Sequence, residues 1–304
     1  GLVTHFRDYA CTVSDRLFSQ AHTVVDIGGN DGTLLSEFVN IGCTNVLNIE
    51  PSPSAASRSS QKCIATLNQY FTEDSVNHIL SKGPVGLVIM NNMLANIPDI
   101  RTFVQNLASL FSENTIGVIE SSYYLDMILN NVYDFVYHEH LFYFSVSSLS
   151  SLLGQFGLVI HDVEKVSTKG GSLRYFVSRA DSSLQVSPQV SSLLVDEYSF
   201  FKGFNVNSHF TNTKLKIVSA YQEFRKSASD CFPVYGASPT TSTLLSLLPT
   251  LRPSVLIDDN PLKLGLFSPV NGFPPVLSID YLRQHRPKFL MIAAWRFVSY
   301  IIPK

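Results

Sequence analysis

Residues 24–35 constrain this chain most. Val24-Val25-Asp26-Ile27 reads as a buried strand, Gly28-Gly29-Asn30-Asp31-Gly32 as a tight turn, and Thr33-Leu34-Leu35 as the start of an apolar-periodic helix. The glycines let the backbone adopt φ > 0 and come close to a ligand, and the helix start offers unpaired N–H groups. Such a turn suits an adenosine cofactor. Two carboxylates inside it, Asp26 and Asp31, make it a poor cradle for an anionic pyrophosphate. A cation-bearing cofactor fits better. The next strand, Val46 to Glu50, ends in an acid placed to accept hydrogen bonds from both ribose hydroxyls. This is the logic of S-adenosylmethionine (SAM) binding, with Asp26, Gly28, Asn30, Asp31, Gly32, Glu50 and Pro51 as the expected contacts. A tight strand-to-helix turn in some other α/β protein is the alternative.

The chain has 304 residues, 45% of them hydrophobic and 15% charged, enough to bury a large core in one big or two modest domains. A formal net charge of -2 with no long basic run gives no footprint for a phosphate backbone and disfavours nucleic acid as a partner. Cys11, Cys43, Cys63 and Cys231 are scattered, without a C-x-x-C pair, so neither a zinc site nor a disulfide framework is expected. A reducing, cytoplasmic compartment is the expectation. No secretory segment opens the sequence, and the apolar run from Phe289 to Ile302 is interrupted by Arg296, so no membrane span is expected. The sequence opens on Gly1 without a methionine, so an engineered start, a processed product or an excised domain is expected.

Taken in order, an apolar-periodic leader from Leu2 to Phe18 is expected to be a structural helix on the sheet. Strands are predicted at Ile64 to Leu67, Val85 to Asn91 and Thr115 to Glu120, with helices or loops between them. That alternation predicts a parallel, doubly wound sheet with ligands at the carboxyl ends of its strands. Asp26, Glu50, Asn91 and Glu120 all lie at such ends. Asn91 and Asn92 either touch the cofactor or cap the helix after Pro98.

Next comes the densest polar cluster, Tyr133 to Phe144, in which His138 and His140 flank Glu139 among aromatic residues. On a helix His138 and His140 would point apart, so a metal pair is disfavoured and no metal is expected. An acid/base role fits better, because a carboxylate beside a histidine can orient the ring and steady the imidazolium. A polar loop satisfying its own backbone is the plain alternative. A helix from Ser145 to Phe156 and two strands, Leu158 to Val166 and Ser172 to Ser178, follow, the strands joined through Gly170-Gly171. The expected division is a leader at 1–22, a SAM-binding domain at 23–180, a helical linker at 181–228 and a smaller α/β unit at 229–304.

These residues together resemble the SAM-dependent C-methyltransferases that act on a ring carbon of nucleotide-linked keto-deoxysugars, over nearly the full length. The resemblance rests on Val25 to Leu35, Ile49 to Ser52, Asn91 to Asp99, Val136-Tyr137-His138-Glu139-His140-Leu141, Gly170-Gly171-Ser172-Leu173-Arg174 and Tyr235-Gly236-Ala237. The Asp258-Asp259-Asn260-Pro261 turn and Ala294-Trp295 add to it. It implies a class I SAM-methyltransferase sheet followed by a Rossmann-like unit. It also implies His140 as the base, with Glu139 and Tyr137 in support, and a small-molecule acceptor resembling a nucleotide-linked sugar. The acceptor pocket is expected to be walled by Tyr137 to His140, by Gly170, Gly171 and Ser172, and by Tyr235 and Ser238.

Three departures stand out. The family's N-terminal zinc module is expected to be lacking. Lys169 and Asn96 stand where histidines are common. The loop at Gly236-Ala237-Ser238-Pro239-Thr240-Thr241 lacks the family's basic residue. The rival readings are O- or N-methyl transfer to a nucleotide or RNA cap, in a viral or polyprotein setting, and a non-catalytic SAM-binding assembly domain.

Overall fold

The computed structural model describes residues 2–15, 22–166, 171–227, 231–248, 250–268 and 272–303. Gly170 and Lys169, singled out above, lie outside the described residues, as does the expected boundary at Ser229. The chain forms two compact units, Gly1–Asp126 with Leu141–Lys202, and Met127–His140 with Gly203–Lys304. This cut differs from the expected ranges at three places, the first being that the expected leader is part of the first unit. The segment Met127–His140 groups with the second unit, and the stretch expected as a linker is taken up by two helices, one in each unit.

In the first unit the chain runs through α1 (Leu2–Ser14), β1 (Thr23–Ile27), α2 (Thr33–Asn40), β2 (Val46–Ile49), α3 (Pro53–Gln61), β3 (Ala65–Leu67) and α4 (Glu73–Ser81). It continues through β4 (Val85–Asn91), α5 (Ile100–Ala108), β5 (Ile116–Ser122) and the start of α6 (Tyr124–Leu129). After the excursion into the other unit come α7 (Val146–Gly154), β6 (Leu158–Val166), β7 (Ser172–Arg179) and α8 (Pro188–Phe201).

The seven strands lie in the order β3-β2-β1-β4-β5-β7-β6, parallel except for β7, which runs antiparallel to both β5 and β6. The order reverses between β1 and β4, which makes the carboxyl ends of these two strands the expected crevice. β1, β2 and β4 are nearly continuous runs of buried apolar residues, the pattern of strands covered on both faces. Period-2 alternation deals their side chains to two cores. Val24, Leu87, Ile89 and Val118 pack with Tyr9, Ala10 and Val13 of α1 and with Leu35 and Phe38 of α2. Val25, Ile27, Val88, Met90 and Ile119 pack with the apolar stripes of α4, α5, α7 and α8. Each fully buried Ile or Leu of this kind contributes about 1.5–3 kcal/mol.

Helix starts follow their side chains. The Asp99 carboxylate accepts from Thr102 N–H at the start of α5, and Ser145 forms a capping box with Ser148 at the start of α7. Glu197 of α8 is buried and accepts from the N–H groups of Val146 and Ser147 and from the Tyr123 hydroxyl, which ties α8 to the first unit.

The second unit contains α9 (Val206–Arg225), β8 (Val234–Tyr235), α10 (Pro239–Ser246), β9 (Leu256–Ile257), β10 (Val276–Leu277), α11 (Asp280–His285), β11 (Met291–Ile292) and α12 (Val298–Ile301). Its four strands are all parallel, in the order β10-β9-β8-β11. Phe232, Val234, Leu245, Leu251 and Leu256 form the core on one face, and Tyr235, Val255, Ile257 and Ile301 on the other. The mixed α/β architecture, a large doubly wound sheet plus a smaller sheet unit, is the one the sequence predicted. No described helix is long and apolar enough to cross a membrane.

The segment Met127–His140 belongs to the second unit through named contacts. The Thr213 hydroxyl of α9 donates to Asn131 Oδ1 at 3.2 Å, and the Tyr133 ring meets Phe210 edge-on at 5.6 Å. Asp134 accepts from Trp295 and Arg296.

Candidate active site

At the crevice end of the first sheet, the turn after β1 is left-handed at Gly28 (φ 76°), Asn30 (φ 51°) and Gly32 (φ 71°). The glycines also answer to close packing by the protein's own side chains. A Cβ at Gly29 would lie 2.5 Å from Asn48 Oδ1 and 2.7 Å from the Asp26 carboxyl, and one at Gly32 would lie 2.5 Å from Ser59 Oγ. A buried lattice holds the turn from beneath. Asn48 Nδ2 donates to the Asn30 carbonyl and to Ser59 Oγ, both at 3.0 Å.

Glu50, buried just past β2, accepts from Asn30 N–H (2.9 Å) through one oxygen and from Ser52 N–H (2.8 Å) through the other. A carboxylate has about four acceptor positions, so two remain for ribose hydroxyls. Asp26 is 2% exposed. Burial, and then the Glu50 carboxylate, push its carboxyl up to about 7. Asp31 is placed differently. Its Oδ2 takes the Lys62 ammonium at 2.8 Å and its Oδ1 takes Thr33 Oγ1 at 2.7 Å. Burial works to raise the Asp31 carboxyl, but these hydrogen bonds outweigh it and hold the group below the usual carboxylate range.

Asn91 ends β4, and its Oδ1 accepts from the Tyr9 hydroxyl at 3.2 Å. Asn92 follows at φ 55°, with its N–H on the Glu120 carbonyl at 2.7 Å. The helix after Pro98 is capped by Asp99, not by either asparagine. Behind them lies a buried ionic cluster. Arg174 of β7 donates through Nε (3.2 Å) and Nη2 (2.9 Å) to one oxygen of Glu120 and through Nη1 to Glu164 at 3.0 Å. The Arg174 guanidinium sits 4.0 Å from the Tyr9 ring centroid, and His5 Nε2 lies 3.6 Å from the other Glu120 oxygen. Gly171 (φ 122°) and Ser172 stand at the near end of β7, where a Cβ on Gly171 would strike Asp126.

The Tyr137–His140 segment lies in the second unit. Two tight turns shape it, closed by Val136 N–H on the Tyr133 carbonyl and by His140 N–H on the Tyr137 carbonyl. His140 is half-buried, its Nδ1 is 3.1 Å from the Phe135 carbonyl, and its ring lies 4.4 Å from that of Tyr137. A carbonyl only accepts, so the contact calls for a proton on Nδ1. Burial, followed by the nearby Glu139 charge, raises the Tyr137 phenol above its usual range. It is therefore protonated at neutral pH and able to donate.

Tyr137, His138 and Glu139 line a cavity of about 660 Å³ together with Ala237, Ser238, Pro239, Thr241, Lys263, Leu266 and Phe267. Ser238 caps α10 by accepting from Thr241 N–H. Asp258 accepts from the N–H groups of Ala237 and Asn260 and from the Lys263 ammonium at 3.0 Å. Tyr235 does not line the cavity and is buried with Val255 and Ile257, its phenol raised by burial and by Asp259.

The structure thus gathers Asp26, Asn30 and Glu50 around one turn, and places Tyr137, Glu139 and Ser238 on one cavity. Reading the sequence assigned α1 to packing alone, yet Tyr9 reaches Asn91. Nothing in an apolar-periodic helix marks its one tyrosine, Tyr9, as turning a hydroxyl toward the end of β4. The 236–241 loop carries no basic residue, but Lys263 stands in the same cavity wall, paired with Asp258.

The donor set fits SAM. Two buried acids, Asp26 and Glu50, share the crevice, and the burial that raises Asp26 is a cost that an arriving cation relieves. Among the described residues no group of three or more histidines, cysteines and acids could hold a metal ion.

Residues 3–163 match the family model described as a methyltransferase domain, and residues 167–304 match the C-methyltransferase C-terminal domain. The chain belongs to the methyltransferase-domain family. It is a SAM-dependent methyltransferase, and SAM is its cofactor. Among characterised members it is similar to C-methyltransferase NovU of Streptomyces niveus, 26% identical over 309 residues, 99% of this chain and 73% of that protein. Magnesium protoporphyrin IX methyltransferase of Synechocystis, solved with SAM bound, is 15% identical at a TM-score of 0.42, covering 59% of this chain and 78% of its own. A SAM-dependent methyltransferase from Clostridium acetobutylicum is 12% identical at a TM-score of 0.45, covering 57% and 90%.

Proposed function

We propose that this methyltransferase moves the SAM methyl to a carbon beside a ketone in a nucleotide-linked keto-deoxysugar, with His140 as the base. The observation that carries this reading is the Nδ1 contact of His140 with the Phe135 carbonyl, which in the neutral ring puts the proton on Nδ1 and assigns the base's role to Nε2. The match of the C-terminal half to a C-methyltransferase domain and the similarity to NovU support transfer to carbon. A carbon next to a ketone is not nucleophilic until its proton is removed, so a base is required. In this reading the C–H proton passes to His140 Nε2, and the imidazolium is steadied by Glu139. The protonated Tyr137 phenol donates to the enolate oxygen as charge develops there. When bound, SAM supplies the electrophilic methyl group that such an enolate takes.

Asp26, Gly28, Asn30, Gly32, Glu50, Pro51, Asn91 and Asn92 would hold the cofactor, with Asp31 bracing the turn through Lys62. The cavity beside Tyr137 and Ser238, with Lys263 in its wall, would take the acceptor's anionic nucleotide portion.

Proton abstraction can be followed without methyl transfer, by wash-in of deuterium from solvent at the carbon beside the ketone of a thymidine-diphosphate-linked keto-deoxysugar. His140→Ala is expected to slow both wash-in and turnover by about 10² to 10⁴, the usual contribution of general acid–base catalysis, with SAM affinity within a few-fold. His138→Ala should do much less. Equal losses from the two variants, or wash-in untouched by His140→Ala, would discard His140 as the base.

A further inference from the structure

We propose that Asp134, Trp295 and Arg296 form a positioning device that fixes the tautomer and ring angle of His140. Asp134 and Phe135 lie in one turn of 3-10 helix, Tyr133–Phe135, closed by Val136 N–H on the Tyr133 carbonyl at 3.1 Å. Within that turn the Asp134 side chain and the Phe135 carbonyl cannot move independently. The Asp134 carboxylate is 4% exposed and accepts from Trp295 Nε1 at 3.2 Å and from Arg296 Nη1 at 3.0 Å, one donor to each oxygen. A buried carboxylate held by two donors makes a stiff anchor, because releasing either leaves charge without a partner.

The same arginine touches the next residue. Its guanidinium lies 4.4 Å from the Phe135 ring centroid, and the Phe135 ring in turn lies 5.5 Å from that of His140. Pinning Asp134 therefore pins the Phe135 carbonyl, which holds the proton on His140 Nδ1. This is how an outer carboxylate or carbonyl commonly sets which imidazole nitrogen is basic.

The donors stand 161 and 162 residues away along the chain, so the device exists only when the second unit is folded. Asp134, Trp295 and Arg296 act through Phe135 and are positioning residues. Their effect on turnover rests on the reading of His140 as base; their effect on the tautomer does not.

The test uses the full chain labelled with ¹⁵N-histidine, in which long-range proton–nitrogen spectra report the proton on each His140 nitrogen. Wild type should show Nδ1–H predominating. Asp134→Asn should mix the tautomers and lower turnover of the thymidine-diphosphate-linked keto-deoxysugar about 10- to 100-fold, with the KM for SAM within twofold. Arg296→Lys, which keeps a cation on Asp134, should restore most of what Arg296→Ala loses. Should Asp134→Asn fail to fold, Trp295→Phe, which removes a single N–H, must move the His140 signals in the same direction. His140 signals unchanged in a folded Asp134→Asn or Trp295→Phe protein would overturn the proposal. If His140→Ala kept full wash-in, the base reading would fall, while the tautomer shift in these variants would still decide the positioning role.

Discussion

Asp26 and Glu50 are two acids where water is largely excluded, and that arrangement costs stability to hold until a cation offsets it. With its carboxyl pushed up to about 7, Asp26 keeps its proton in the fold over a range where the unfolded chain, near the ordinary value of about 3.9, has lost it. The fold therefore has this group's full contribution below pH 4 and loses it as pH rises through about 7. Asp26→Asn removes that loss. Its melting temperature relative to wild type should climb between pH 5 and pH 8 in the absence of SAM, while SAM affinity at pH 8 drops. A constant difference in melting temperature would show that Asp26 does not titrate there. Glu50→Ala should weaken SAM binding by about 1.5–3 kcal/mol, the scale of a hydrogen bond to a charged group. The same change frees Asn30 and Ser52, so calorimetry should be paired with a melting curve. Unchanged affinity in a folded protein would remove Glu50 from the site.

Among the elements, α1 is tied to the sheet by more than its apolar stripe. Tyr9 bonds Asn91 at the end of β4 and stacks on Arg174 of β7, whose guanidinium neutralises Glu120 at the end of β5. Arg174 and Glu120 are both 4% exposed, so deleting one leaves an uncompensated buried charge. Arg174→Met should cost about 3–5 kcal/mol on chemical denaturation, and Arg174→Met with Glu120→Gln should recover part of it. A double variant no more stable than the single one would mean the pair contributes little. The strands, the glycine turn and the helix opening at Ser145 were legible because strand period, turn residues and helical period are local signals, whereas Asp99 as the cap of α5 was not named. Which buried acid meets which cation was not legible. Glu120 and Arg174 are 54 residues apart and become partners only through the antiparallel pairing of β5 with β7. Both residues stand out as charges inside apolar runs, but the pairing itself has no sequence signature.

Across the whole molecule, the chain order hides the most consequential feature. Tyr137 to His140 fall inside the stretch that reads as the SAM-binding domain, yet Met127–His140 forms one compact unit with Gly203–Lys304. Its anchors are Thr213 and Phe210 on α9 and Trp295 and Arg296 near the end of the chain. The residues read as base and support are thus built on the second unit, whereas the cofactor turn and its buried acids are built on the first. Separate foundations predict separable losses. A chain ending at Lys202 retains every strand of the seven-stranded sheet and both of its cores, and should bind SAM within a few-fold of the full chain. The same truncation strips Asn131, Tyr133 and Asp134 of their partners and removes Ala237, Ser238 and Lys263 from the cavity wall. Deuterium wash-in and methyl transfer should both fall to background. The two measurements have to be made on one sample, because lost SAM binding would mean only that the shortened chain had not folded. Transfer surviving beside intact SAM binding would show that neither the partners of Asn131, Tyr133 and Asp134 beyond Lys202 nor the 237–263 cavity wall is needed for the chemistry.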